Sequence, residues 1–207
     1  MGSFDRTAVD ERSAPRYELP RRARRIAIVL AAWGFLYACY RAYYALGGQG
    51  AMIGQPVSQS QFRAINAVAV VILLVAAVLP LLAVWSGSRP WVGRLFPVIG
   101  WVAAVGCCVH AFVDGTLRVL SLTGVYPSRY PSGFWLTIDR RAADLQDLLY
   151  NEPWFFVEGC LWAALALSLL GVGSRRRWWL SAVAGCLALT AIGLLSGLGV
   201  IGSFRLG

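Results

Sequence analysis

Long apolar segments alternate with short polar connections along most of this chain. The first apolar segment is about 31 Å long at 1.5 Å of helical rise per residue, which matches the hydrocarbon core of a bilayer. Four further segments have similar length, and proline- or glycine-containing turns separate several of them. The pattern predicts an all-α polytopic transmembrane helix bundle with five spans. The predicted spans are about 26–46, 62–85, 95–117, 153–172 and 178–201.

The connection between the third and fourth spans has a helical pattern of its own. Apolar residues recur there at spacings of three and four, while charged residues occupy the other sides. The segment is too polar to cross a membrane, so we expect one amphipathic surface helix over about 134–150 in the long external loop. Its predicted apolar face consists of Trp135, Ile138, Ala142, Leu145 and Leu149.

Two helix starts have sequence signals. Ser58 is followed three residues later by Gln61, which is typical of a capping box at the start of the second span. Asn151 or Glu152 can cap the fourth span, and Pro153 suits its first position.

Arginines set the predicted orientation. Residues 1–20 are polar and of mixed charge, so we expect a disordered cytoplasmic tail, followed by a single transmembrane helical domain over 21–207. Arg21, Arg22, Arg24 and Arg25 directly precede the first span, which favours a cytoplasmic N-terminus. That span is longer than the apolar region of a secretory signal peptide, so we expect it to be retained. With five spans the C-terminus is external, and we expect a multi-pass protein of the bacterial cytoplasmic (inner) membrane.

The composition agrees with a membrane protein. The chain is 58% hydrophobic and only 14% charged, whereas soluble domains carry about a quarter charged residues. The formal net charge of +9 could indicate a nucleic-acid partner. However, the arginines cluster beside apolar segments, which indicates a role in topology and excludes nucleic acid as the expected partner.

Ionisable residues near the external ends of the spans form the candidate site. His110, Asp114 and Arg118 follow one another at one-turn spacing along the third span. Arg41 and Glu158 lie at a similar depth on the first and fourth spans, so we predict that Arg41 pairs with Asp114 or Glu158. Such groups can serve only to fix helix register or can reach the interface separately, and they can also form a functional pocket. The predicted buried polar cluster, which would also bind a ligand, is Arg41, Tyr37, Tyr44, His110, Asp114, Arg118 and Glu158.

Several chemistries lack their usual sequence motifs. The chain has no G-x-S-x-G or H-E-x-x-H sequence and no glycine-rich phosphate loop. Its five cysteines form no C-x-x-C pair, and a single histidine favours no ordinary zinc site. We therefore expect no catalytic residues, no metal and no cofactor.

Three short stretches resemble a family of small bacterial integral membrane proteins of unknown function. Residues 40–48 have the sequence YRAYYALGG, which is similar to the aromatic-Ala-Leu-Gly-Gly end of the first span in that family. Residues 117–118 with 124–126 resemble a later stretch, and NEPWF at 151–155 resembles the start of the last span. The family is usually four-spanning, so the fifth span and the amphipathic segment are departures. The resemblance implies a helical membrane protein and carries no assigned activity.

A second resemblance is to the sterol-isomerase and sigma-2-receptor-like membrane domain. Proteins of that type place acidic and aromatic residues in a pocket of a helical bundle, and Glu158 lies near Trp154 and Trp162 in this sequence. The overall pattern of the chain differs from that domain.

Three functions fit these patterns. The first, which we favour, is a non-enzymatic membrane protein that binds a small ligand, a lipid or a partner through the external polar cluster. The second is a small transporter or channel subunit, which with so few spans would have to form a homo-oligomer. The third is a membrane enzyme acting on a lipid, with Glu158 or Asp114 as acid or base. The expected partners are therefore the lipid bilayer, a small lipophilic ligand and further copies of the chain.

Overall fold

The structure is a computed structural model that describes residues 19–87, 89–127, 130 and 133–201. The predicted tail falls almost wholly outside these residues. Six α-helices and one short antiparallel sheet make up the described fold, which confirms the all-α class. The α-helices are α1 (Arg21–Ala45), α2 (Gln59–Ser86), α3 (Pro90–Leu122), α4 (Arg140–Gln146), α5 (Glu152–Leu169) and α6 (Val172–Gly197). The strands are β1 (Gly54–Pro56) and β2 (Trp135–Ile138), and a π-helical turn occupies Asp147–Asn151.

Four of the helices are long and apolar enough to cross a membrane, namely α1, α2, α3 and α6. This supports a membrane protein. The fourth predicted span corresponds to α5, which is shorter, carries two glutamates and is not among these four.

Helices α1 and α2 form an antiparallel pair. Gly34 on α1 faces Ala77 on α2 so closely that a Cβ atom at Gly34 would lie 3.4 Å from the Cβ atom of Ala77. At the other end of the pair, the ring of Tyr44 on α1 packs edge-on against Phe62 on α2. Small residues in the middle of the pair thus allow the two backbones to approach closely.

Helix α3 is packed between α5 and α6, and its two neighbours run in opposite directions. Gly100 lies against Ala166 and Gly159 lies against Cys108, so α3 and α5 are antiparallel. Helix α6 runs parallel to α3, because contacts advance along both helices together. These contacts pair Trp101 with Gly185, Val113 with Gly193 and Leu117 with Gly197.

The Gly193-x-x-x-Gly197 sequence has the packing role that its spacing predicts. A Cβ atom at Gly193 would lie 2.7 Å from a methyl carbon of Val113, and one at Gly197 would lie 2.7 Å from a methyl carbon of Leu117. Both glycines are therefore required for the observed separation of α6 from α3.

The predicted amphipathic helix over 134–150 is wrong in its first part. Trp135–Ile138 forms strand β2, which pairs antiparallel with β1 in the connection between α1 and α2. Aromatic and β-branched residues favour a strand there, and Asp139 then begins α4 by accepting a hydrogen bond from the Ala142 amide at 3.0 Å. The Ser58 cap is confirmed, because its hydroxyl accepts a hydrogen bond from the Gln61 amide at 3.2 Å.

Helix α4 continues through the π turn into α5 rather than lying apart on the surface. Pro153 explains the irregular turn, because a proline inside a helix lacks the amide hydrogen and its ring crowds the carbonyl four residues earlier. A π turn widens the helix at that point, and such turns occur often at functional sites. Asn151 and Glu152, at the end of the turn and the start of α5, both face neighbouring helices.

Candidate functional site

Polar side chains line the contact between α3 and the continuous α4–π–α5 helix. We call this contact the polar seam. Several of its charged side chains are largely buried between the helices, so they need partners close by. The seam consists of His110, Asp114 and Arg118 on α3 and Asp144, Asp147 and Glu152 on the facing helix.

The inner part of the seam contains one histidine between two carboxylates. His110 Nδ1 lies 3.4 Å from Asp114 Oδ2 on the same helix, and His110 Nε2 lies 3.9 Å from Glu152 Oε2 on α5. The Glu152 side chain is only 7% exposed, and its Oε2 atom has no hydrogen-bond partner. The His110 ring also packs edge-on against Phe155, with centroids 4.4 Å apart.

The outer part of the seam is an ion-pair cluster around Arg118. Its Nε atom lies 3.0 Å from Asp147 Oδ2, and its Nη1 atom lies 3.5 Å from Asp144 Oδ1. The Asp144 carboxylate is 3% exposed and also accepts hydrogen bonds from the hydroxyls of Ser121 at 2.6 Å and Tyr130 at 2.8 Å. One buried carboxylate is thus held by a guanidinium and two hydroxyl groups.

Tyr130 belongs to the connection after α3 and covers this cluster. Its ring lies 5.1 Å from the Arg118 guanidinium carbon, in a cation–π arrangement. Burial raises the pKa of the Tyr130 phenol, and the hydrogen bond to Asp144 raises it further. The phenol therefore stays protonated and acts as a donor across the ordinary pH range.

A hydrogen-bonded chain joins the polar seam to α1 and α2. Asn151 donates to Asp147 Oδ1 at 2.7 Å, and Tyr37 donates to Asn151 Oδ1 at 3.0 Å. Arg41 in turn donates to the Tyr37 hydroxyl and to Asn66 Oδ1, both at 3.3 Å. Four side chains from α1, α2 and the π turn thus continue the network from the seam across the bundle.

Arg41 has a different set of partners from the one we predicted. It forms no ion pair with Asp114, Glu158 or any other carboxylate of the described residues. Its guanidinium instead lies 5.4 Å from the Tyr37 ring centroid and contacts Asn66, which is buried on α2. The physical reason is the arrangement of the helices: α1 packs mainly on α2 and α5, so its polar face meets these helices rather than the charged stripe of α3.

The structure brings together five of the seven predicted site residues. His110, Asp114 and Arg118 lie in the seam, and Tyr37 and Arg41 belong to the hydrogen-bonded network attached to it. Glu158 is buried on α5 with its Oε2 atom lacking a hydrogen-bond partner, but it has no contact with Arg41. Tyr44 lies apart and donates to the carbonyl of Gly50 at 3.1 Å.

The sequence reasoning did not place the carboxylates of the facing helix in the site. Asp144, Asp147 and Asn151 recur at spacings of three and four, which is a polar helical stripe. We assigned Asp144 and Asp147 to the polar side of a surface helix and Asn151 to a possible cap of the next helix. In the structure α4 is continuous with α5 through the π turn. This continuity directs the stripe and Glu152 toward α3.

His110, Asp114 and Glu152 also form a group that could hold a metal ion. One possible ligand atom from each residue lies within 4.8 Å of those of the other two. Ligand atoms around a single ion bound at 2.0–2.2 Å are roughly 3–3.6 Å apart. The widest separation in the group therefore needs to contract by roughly 1–2 Å to bind an ion of this kind.

Searches for similar proteins identified no matching family model, no curated protein and no solved structure. The geometry of the chain itself therefore carries the functional argument, and the family resemblance stays a prediction.

Proposed function

We propose that this chain is a five-span inner-membrane protein that binds a divalent transition-metal ion, such as Zn²⁺, in the polar seam near the external surface. His110, Asp114 and Glu152 supply the ligands. The observation that carries the proposal is the buried Glu152 carboxylate, which has an oxygen without a hydrogen-bond partner 3.9 Å from the histidine and lies close to a second carboxylate.

The parallel arrangement of α3 and α6 supports the fifth span. Two parallel spans require the chain to return across the membrane between them, and α5 is the antiparallel helix that connects them. The arginine-rich segments at the start of α1, at the start of α3 and at the start of α6 then share one end of the bundle. By the positive-inside rule that end is cytoplasmic, so the N-terminus is inside and the C-terminus is outside.

The charge balance of the polar seam supports a bound cation. Four carboxylates lie in the seam, whereas Arg118 is its only permanently charged cation among the described residues. An isolated buried carboxylate is costly in an apolar environment, and a cation close to it offsets part of that cost. Arg118 already contacts Asp144 and Asp147, which leaves Asp114 and Glu152 for a cation at the histidine.

The donor set selects the class of ion. One imidazole nitrogen with two carboxylates suits first-row transition metals, whereas Ca²⁺ and Mg²⁺ prefer sites made only of oxygen atoms. His110 is 45% and Asp114 is 33% exposed at the side chain, so neighbouring helices do not enclose this side of the group. Three protein ligands leave coordination positions for water or for a further ligand.

Metal binding to the protein in detergent or in nanodiscs tests the proposal. Dialysis against Zn²⁺, followed by elemental analysis, should give one ion per chain. His110→Ala and Glu152→Gln should each weaken binding by tenfold or more, since a second-shell residue alone is worth about 10–100-fold. Glu158→Gln is the matched control, because it removes a buried carboxylate from the same helix outside the group.

Two results would contradict the proposal. Unchanged Zn²⁺ binding in His110→Ala would place the ion elsewhere, and equal loss in Glu158→Gln would indicate a general effect of charge or folding. A genuine site should also lose affinity as the pH is lowered, because the imidazole and carboxylate ligands must be deprotonated to bind.

The two alternatives differ in what they do. A transporter of the same ion should move it across the bilayer of reconstituted vesicles, so that it accumulates inside them. An enzyme with Glu158 or Asp114 as acid or base should turn over a lipid of the vesicles. Ion accumulation and lipid turnover in the same vesicles therefore separate these alternatives from simple binding.

A further inference from the structure

A groove opens at the arginine-rich end of the bundle, where the end of α5 meets the beginnings of α1 and α6. Its volume is about 620 Å³, within the usual range for small-molecule pockets. Ala164, Leu167 and Trp179 supply apolar surface to its lining. The charged residues at the groove are Arg22, Arg175 and Arg176.

The groove has a strong excess of positive charge. Three arginines line it, and no carboxylate of the described residues does so. Arg22 and Arg176 form no ion pair with a described carboxylate, while Arg175 donates to the Leu170 carbonyl at 3.0 Å and is thereby held at the end of α5. Helices α1 and α6 both begin here without a side-chain cap, so their first amides add positive potential.

We propose that this groove binds the headgroup of an anionic phospholipid, independently of the metal site. The arginines would bind the phosphate through charge-assisted hydrogen bonds, and the start of an acyl chain would cover the apolar surface. Trp179 is half-exposed beside them and suits the boundary between headgroups and hydrocarbon. The combination of apolar surface and three guanidinium groups favours a lipid over a soluble anion, because a soluble anion would leave the apolar surface uncovered.

Matched pairs of substitutions test the proposal, because each pair removes the same number of arginines from the clusters that set topology. Arg22→Gln with Arg176→Gln removes two charges from the groove. Arg21→Gln with Arg177→Gln removes two charges from the adjacent positions, which are exposed and do not line it. Each full-length protein is titrated with phosphatidylglycerol in detergent, and bound lipids are counted by native mass spectrometry, with phosphatidylcholine as the neutral lipid.

The wild-type protein should bind phosphatidylglycerol in preference to phosphatidylcholine. General attraction to a charged surface is about fivefold per basic residue and is lost equally from both pairs. The groove pair should lose at least a further tenfold in affinity relative to the control pair. Equal losses from the two pairs, or equal binding of the neutral lipid by the wild-type protein, would overturn the proposal.

Discussion

Replacing Arg118 with leucine should destabilise the bundle more than the same replacement of Arg94, the other arginine of α3. The Arg118 side chain is 17% exposed, and its guanidinium group contacts both Asp144 and Asp147. Leucine keeps an apolar side chain of moderate size in the helix but leaves both carboxylates without their cation. The perturbation is therefore the loss of a buried positive charge rather than the loss of helix propensity.

The magnitude follows from the two distances. At 3.0 Å and 3.5 Å, Coulomb attraction in a medium of effective dielectric constant near 20 is roughly 5 kcal/mol for each pair. Desolvation of the three groups offsets much of this attraction, and measured losses for removing one partner of a buried pair are about 3–5 kcal/mol. Ser121 and Tyr130 still donate to Asp144 in the variant, so we expect a loss near the lower limit, about 3 kcal/mol.

The assay is reversible unfolding in mixed micelles, followed by circular dichroism, for Arg118→Leu, Asp144→Asn and the double variant. The pair should show a coupling free energy of about 1–3 kcal/mol, because each substitution removes the same ion pair. Arg94→Leu is the control: it makes the same replacement at an exposed position of the same helix and should change stability by about 0.5 kcal/mol or less. A loss for Arg118→Leu no larger than that control, or additive effects in the cycle, would refute the reasoning.

Three further predictions follow from other contacts. Gly193→Val should destabilise the bundle by about 1–3 kcal/mol in the same unfolding assay, since the added side chain overlaps α3; unchanged stability would mean that α6 does not pack as described. The free energy of unfolding should fall as the pH rises above about 10, because the raised pKa of Tyr130 keeps the folded phenol protonated while the unfolded phenol ionises. Tyr130→Phe should make this fall less steep. An identical slope in the variant would assign the pH dependence to other groups. A reporter active only outside the cytoplasm should work after Gly207 and fail after Ser174, and the reverse pattern would contradict the five-span orientation.

The sequence predicted the fold class better than it predicted the arrangement of the site. The length of the apolar segments predicted the long helices, and one-turn spacing predicted that His110, Asp114 and Arg118 share a stripe. Depth along a helix can be counted in residues, but the direction in which a side chain points relative to other helices cannot. Arg41 was therefore placed at a suitable depth and given the wrong partners.

The missed carboxylates have a similar physical explanation. Whether Asp147 and Glu152 face solvent or α3 depends on α4 continuing through the π turn into α5, and hence on a local irregularity at Pro153. Proline more often marks the first turn of a helix, so the sequence favoured a new start there. Strand β2 was missed because its partner, β1, lies about eighty residues earlier, and periodicity within one segment cannot reveal such a pairing.

The order of synthesis gives the polar seam a consequence for membrane insertion. Arg118 leaves the ribosome 26 residues before its partner Asp144, which corresponds to roughly one to five seconds at common elongation rates of 5–20 residues per second. During that interval α3 carries a positive charge near its C-terminal end, while α2, the helix made just before it, makes few contacts with it. Stable insertion of α3 should therefore depend on the arrival of the α4–α5 segment, and a nascent chain stalled before Asp144 should remain at the insertion machinery longer than one stalled after Leu169.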